Sequence, residues 1–176
     1  MSLNNFLSLR IACDGESSSG KSTAAKLISK KYNLFCMHSG LLFRYASYLI
    51  IKHEPKKIIP FLRKKFKNLN YKKITHLNLH SQKISNHVGA LAKQKKVRQI
   101  MRIFQKKIIK QHHQICCEGR DQASVILRKN PRYDVAFYFK CNLNTASLRR
   151  WLDLKKKVPL IEVKKSLRTR TLLDKK

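Results

Sequence analysis

Residues Gly15-Glu16-Ser17-Ser18-Ser19-Gly20-Lys21-Ser22 fit the spacing G-x-x-x-x-G-K-[ST] at every fixed position. The chemistry of that spacing is phosphate binding. Glycines let the backbone turn tightly enough for successive N–H groups to face one anion, and the turn opens into a helix N-terminus that carries partial positive charge. Lys21 can reach the outer phosphates of a nucleotide, and the Ser22 hydroxyl can ligate Mg²⁺. An apolar run, Leu7 to Cys13, precedes the turn, and a helical pattern, Thr23 to Lys31, follows it. The competing reading is a chance match in a Ser-rich turn, and the strand–turn–helix context argues against it.

Glycine usage points to two further turns. Of five glycines, two lie in this loop, one in His38-Ser39-Gly40 and one in Glu118-Gly119-Arg120-Asp121, while Gly89 stands apart. Four of the nine acidic residues, Asp14, Glu16, Glu118 and Asp121, lie in or beside the same segments. In Ser39-Gly40-Leu41-Leu42-Phe43-Arg44 a Gly turn enters a helix with an arginine one turn later, which makes an anion site. Arg44 as a solvated helix residue is the plainer alternative. In the Glu118–Asp121 turn, Arg120 suits a phosphate contact and Asp121 a hydroxyl or base-edge contact; a salt-bridged turn is the alternative there. Three Gly turns after three successive strands weigh more together than singly, because open α/β sheets bind ligands at the carboxyl ends of their strands.

The elements that must position these turns follow from periodicity. Strands are expected at Leu7–Cys13, Phe35–Met37, Ile115–Cys117 and Val135–Phe139. The runs at 115–117 and 135–139 are apolar throughout, as in parallel strands covered on both faces. Helical patterns fall at Thr23–Lys31, Leu41–Lys52, Val97–Lys110 and Thr145–Lys157. Val97, Ile100, Met101, Phe104 and Ile108 have i, i+3, i+4 spacing and form one apolar face. Alternation of strands and helices predicts an α/β fold built on a parallel sheet flanked by helices. Arg10 interrupts the first strand, close enough to its start to reach the solvent end of the sheet. Residues 55–96 are dense in Lys and Asn and show no clear period, which reads as an insert. The expected organisation is a core of residues 1–54 and 97–176 around that insert.

Composition sets the bounds. A chain of 176 residues is one ordinary domain with room for a small insert and a real core. No stretch of about 18 apolar residues indicates a membrane span, and Met1 to Leu9 is too short and uncharged for a signal peptide. Cys13, Cys36, Cys116, Cys117 and Cys141 lie mostly in strand-like runs without a C-x-x-C pair, so they read as buried reduced thiols in a cytoplasmic protein. The net charge of +31 is open to two readings. One is nucleic-acid or polyphosphate binding. The other is compositional: Lys outnumbers Arg 28 to 12, and the Lys clusters are spread along the chain. The compositional reading is favoured, with no specific nucleic-acid partner and no membrane.

Taken in order, these motifs resemble the bacterial cytidylate kinases, a family of P-loop nucleoside monophosphate kinases. Ile11 through Thr23 is similar to that family's I-D-G-P-[SA]-x-x-G-K-[SG]-T, Ser39–Arg44 to D-[ST]-G-x-x-Y-R, Val97–Gln105 to V-R-x-x-L-x-x-x-Q, Glu118–Val125 to D-G-R-D-[IM]-G-T-V, and Arg170–Asp174 to its late R-D-x-x-D. Arg149 and Arg150 fall where the family's mobile lid begins, about 145–165 here, and residues 55–96 fall where its nucleoside-monophosphate insert lies. The resemblance implies a P-loop fold and transfer of a phosphoryl group from ATP to CMP or dCMP, with Mg²⁺, in cytoplasmic pyrimidine nucleotide metabolism by a monomer. It implies that Gly15–Thr23 (Gly15, Glu16, Ser17, Ser18, Ser19, Gly20, Lys21, Ser22, Thr23) hold ATP, with Ser22 on the metal. The acceptor would be held by Ser17, Ser39, Arg44 and Arg120, read by Arg98 and Asp121, and contacted at its ribose by Arg170 and Asp174. Lys21, Arg120, Arg149, Arg150 and Arg170 would surround the transferred group.

Several positions depart from the family pattern. Glu16 replaces a Pro and sets an acid in an anion-binding loop; His38 replaces an Asp, Phe43 a Tyr, and Gln122-Ala123 a hydrophobe and a Gly. A base-contacting Ser expected before Arg98 has no counterpart, with Lys93 nearest. The chain is expected to stop before a further Arg of the last motif, without the family's final strand, adenine-side loop and closing helix, which would leave Val135–Phe139 unpaired on one side. Two rival readings remain: a kinase of this fold acting on another small acceptor, and a catalytically weak nucleotide- or nucleic-acid-binding protein.

Overall fold

The computed structural model describes residues 8–174, apart from the side chains of Gln82, Arg170, Leu173 and Asp174. The chain forms two compact units, one comprising residues up to Met37 and from His113 onward, the other His38–His112.

The first unit is built on a four-stranded sheet of β1 (Leu9–Gly15), β2 (Phe35–His38), β3 (Gln114–Gly119) and β4 (Val135–Phe139), in the order β2-β3-β1-β4. The central strand β1 runs parallel to both neighbours, pairing Ile11 with Cys116 and Cys13 with Phe137. Around the sheet lie α1 (Lys21–Lys31), a π-helical turn (Gln122–Ile126), α7 (Leu143–Asp153) and α8 (Leu160–Asp174). Side chains alternate across a strand, so Ile11 and Cys13 share a face, where they pack with Cys116, Ala25 and Leu34. A second cluster joins Ala146 of α7 to Val163 and Leu167 of α8.

Three expectations are revised. The first strand begins at Leu9 and runs two residues past Cys13, so it carries Asp14 and Gly15 into the sheet; Leu7 lies outside the described residues. Covering on both faces holds for Ile115–Cys117, which is buried, but not for Val135–Phe139. β4 is a sheet edge among the described residues, and Val135, Phe137 and Tyr138 are 39, 43 and 59 % exposed. Apolar character alone cannot distinguish a covered strand from an uncovered one. The helix expected to reach Lys157 stops at Asp153, and Lys155 and Lys156 turn left-handed with φ of 52° and 58°. Arg10 is half-buried near the start of β1: its backbone N–H donates to Asp134 Oδ2 at 2.7 Å and its guanidinium to Ser8 Oγ at 3.3 Å.

The second unit is helical: α2 (Ser39–His53), α3 (Ile58–Lys67), α4 (Tyr71–Thr75), α5 (Gln82–Leu91) and α6 (Lys95–Gln111). The apolar face read on α6 is buried at all five positions. Three short helices occupy the stretch without an apparent period. Each buries two apolar residues, such as Leu62 with Phe66 in α3 and Tyr71 with Ile74 in α4, and α3 does carry an apolar stripe at helical spacing, Ile59, Leu62 and Phe66, which the surrounding lysines obscure. The starts of α4 and α5 are marked by caps, since Asn70 accepts from Lys72 N–H and Ser81 from Ile84 N–H. The expected insert thus shares a unit with α2 and α6, which pack on its helices. Among the described residues no helix is long and apolar enough to cross a membrane. All five cysteines are free thiols.

Candidate active site

In the first unit, Gly15 ends β1 with φ of 152°, and a Cβ placed there would stand 2.3 Å from the Phe139 carbonyl oxygen. Only glycine permits that approach of β4 to the start of the loop. The chain then turns through Ser18 at φ 56° and Gly20 at φ 90°, delivering Lys21 as the first residue of α1. Lys21 is buried at 7 % exposure. Its ammonium donates to the Glu16 carbonyl oxygen at 2.9 Å and pairs with Glu118 Oε1 at 3.6 Å. The Glu16 backbone therefore serves the loop: its N–H donates to Phe139 O and its C=O accepts from Lys21.

The Gly119-Arg120-Asp121 turn is joined to this loop. Arg120 Nη2 donates to Ser17 Oγ at 2.7 Å. Asp14, 5 % exposed, fixes the next residues by accepting from Gln122 N–H at 2.9 Å and Ala123 N–H at 2.8 Å. Burial pushes the Asp14 carboxyl above its usual range, while the two N–H bonds oppose that shift and Asp121 and Glu118 add to it. Asp121 lies half-buried at the head of the π-helical turn, where its carbonyl accepts from Val125 and Ile126 N–H. Arg149 also reaches the loop, since a Cβ on Gly20 would lie 3.6 Å from its Nη1. Arg150 follows on α7, about 100° further round the helix, and is half-buried. Ser22 and Thr23 are exposed on the first turn of α1. Arg170 and Asp174 belong to α8, but their side chains lie outside the described residues.

The second unit holds Ser39, Gly40, Arg44 and Arg98. Ser39 opens α2 and is buried; Gly40 faces open space. Arg44 Nη1 donates to Leu79 O at 3.1 Å and to Ser85 Oγ at 3.0 Å. Arg98 is half-buried on α6.

Two functional residues emerge only from the geometry. Glu118 is the partner of Lys21, and Asp14 caps the turn that carries Arg120 and Asp121. The concentration of acids near the Gly turns was the available signal, but it does not say which acid meets which donor. Cys13 and Cys116 lie behind the loop with sulfurs 3.7 Å apart. Their mutual hydrogen bond, then burial, pushes the Cys13 thiol far up, so it stays protonated and unreactive.

Comparison with known proteins agrees with this arrangement. A family model described as cytidylate kinase matches residues 11–176. A cytidylate kinase of Phytoplasma mali (strain AT) is 29 % identical over 183 residues, covering 95 % of this chain and 78 % of that protein. One from Clostridioides difficile (strain 630) is 30 % identical, with 83 % and 71 % covered. A bifunctional pantoate ligase/cytidylate kinase of Prochlorococcus marinus (strain MIT 9301) is 30 % identical over 93 % of this chain and 35 % of its own length. Since the family match runs from the middle of the first core strand to the last residue and takes in all three Gly turns, the chain belongs to the cytidylate kinase family.

Proposed function

We propose that this chain transfers the γ-phosphoryl group of ATP to CMP or dCMP, giving ADP and (d)CDP. The observation that carries the reading is the 2.7 Å bond from Arg120 to Ser17, which joins the turn after β3 to the phosphate loop. Two segments about 100 residues apart in sequence, each suited to phosphate, thereby act on one place.

An acceptor phosphate oxygen attacks the γ-phosphorus, and the bond to the β–γ bridging oxygen breaks. Little covalent work falls to the protein, and rate comes from position and charge neutralisation. On this reading the N–H groups between Gly15 and Ser22 hold the donor phosphates. Lys21 already stands at the loop, and phosphate oxygens compete with Glu16 O and Glu118 for its ammonium. Arg120 and Arg149 stabilise the charge spread over the transferred group, and their planar forks suit phosphate better than a lysine. Arg44 and Ser39 hold the acceptor phosphate, Arg98 and Asp121 read the cytosine, and Arg170 and Asp174 contact the ribose. The exposed Ser22 hydroxyl, a hard oxygen donor on the first turn of α1, fits Mg²⁺. That ion, when bound, neutralises donor phosphate charge.

The test is ADP release measured with ATP, Mg²⁺ and each nucleoside monophosphate in turn. Turnover with CMP and dCMP well above that with AMP, GMP and UMP is expected. Equal rates without any acceptor would reduce the chain to an ATPase and overturn the reading.

A further inference from the structure

Tyr71, the first residue of α4, is 5 % exposed. Its hydroxyl accepts from the His38 backbone N–H at 2.7 Å and lies 3.4 Å from His38 O, to which it donates. A buried phenol whose hydroxyl is unpaired incurs a desolvation cost, and here the hydroxyl makes two bonds to the backbone of one residue. His38 is the N-cap of α2, and its side chain makes no capping hydrogen bond. The backbone held by Tyr71 therefore leads directly into Ser39 and Gly40. On the same helix, Arg44 is held by Leu79 O and by Ser85, itself 2 % exposed. Both ends of the Ser39–Arg44 segment are anchored by residues from 71–85.

We propose that Tyr71 and Ser85 are positioning residues for the acceptor nucleotide's phosphate: Tyr71 sets the direction of the Ser39–Gly40 N–H groups, and Ser85 sets that of the Arg44 guanidinium. The inference rests on the reading of Ser39–Arg44 as the acceptor site. The physical reason is preorganisation. N–H groups and a guanidinium that are free to rotate pay their ordering cost on each binding event, which lowers affinity without touching the donor nucleotide. α4 also buries the Tyr71 ring and Ile74, so removing the hydroxyl alone leaves its packing in place and isolates the bond to His38.

Steady-state kinetics of Tyr71→Phe, Ser85→Ala and Arg44→Ala, with CMP and ATP varied separately, test this. Tyr71→Phe and Ser85→Ala are each expected to raise the KM for CMP about fivefold to tenfold, the equivalent of one lost hydrogen bond, with a much smaller change in the KM for ATP. A purely structural role would instead reduce the active fraction, lowering kcat while leaving both KM values in place, and that result would overturn the proposal. If Arg44→Ala raises the KM for CMP while both other variants leave it unchanged, the positioning roles are wrong and the acceptor site stands. If Arg44→Ala also leaves it unchanged, the acceptor-site reading fails, and the proposal with it. Should one of the two variants not fold, the KM for CMP of the other supports or overturns the proposal in the same way.

Discussion

Lys21 is held by two oxygens of different kinds, a backbone carbonyl and the buried Glu118 carboxylate. The first keeps the ammonium at the loop; the second neutralises it. Lys21→Met should lower turnover about 10²- to 10³-fold, the range for deleting one preorganised donor at developing charge. It should also cost about 3 kcal/mol of stability, because Glu118 keeps its buried charge and loses the Lys21 ammonium. Adding Glu118→Gln should restore most of that stability and none of the turnover. Denaturant unfolding and ADP release on the single and double variants separate the two effects, and an active double variant would remove Lys21 from the chemistry. Asp14 makes a different case. The N–H groups of Gln122, buried, and Ala123, partly buried, depend on it. Asp14→Ala should lower stability by about 2 kcal/mol, the cost of bonds to a charged acceptor left unmade, and should loosen the turn carrying Arg120. A melting temperature within one degree of the parent would contradict this.

Among the elements, the β1–β4 pair decides whether the loop can form. The Gly15 backbone needs a left-handed φ, and β4 leaves no room for a side chain. Gly15→Ala should therefore cost more than about 3 kcal/mol, from strain plus a clash with backbone that cannot move aside; far-UV circular dichroism and yield of soluble protein report it. At the far end of α6, His112 closes the helix with its N–H on Ile108 O. Burial first, then the Lys72 ammonium, hold the His112 imidazole below its ordinary value of 6.5. The unfolded chain then binds the extra proton more readily than the folded one. The contribution of His112 to stability is present above about pH 6.5 and is lost as pH falls through that value toward the lower folded one. His112→Gln should lose less stability than the parent between pH 7.5 and 5.5, the difference between the two unfolding series being the readout.

At the scale of the whole molecule, the charge of +31 is the feature that most invites a nucleic-acid partner. Its makeup argues otherwise: Lys clusters recur along the chain rather than on one element, and cations on phosphate carry no sequence information. Duplex DNA binding is expected to be weak, without sequence preference, and to collapse between low and physiological salt. A filter-binding titration showing tight association with one sequence at physiological salt would reverse this. The exposed apolar strand β4 is the second whole-molecule feature. It has no charge or proline of its own to discourage pairing with another chain, and Tyr138→Lys should raise the concentration at which light scattering first appears.

What the sequence by itself determined is local. The G-x-x-x-x-G-K-S spacing, the apolar periodicity of α6 and the alternation of strands and helices each depend on residues near one another in the chain, so the phosphate loop, its flanking elements and the α/β class were legible without coordinates. The order of motifs also carried the family. What tertiary structure decided is who meets whom across about a hundred residues: Arg120 with Ser17, Asp14 with Gln122 and Ala123, and Lys21 with the carboxylate of Glu118. The same holds for Tyr71 with His38 and Ser85 with Arg44, pairs 33 and 41 residues apart that no local pattern announces. A side chain's type limits the partners it can accept, but register and packing choose among them. The exposure of β4 was beyond the sequence for the same reason, since an apolar strand reads alike whether or not another element covers it.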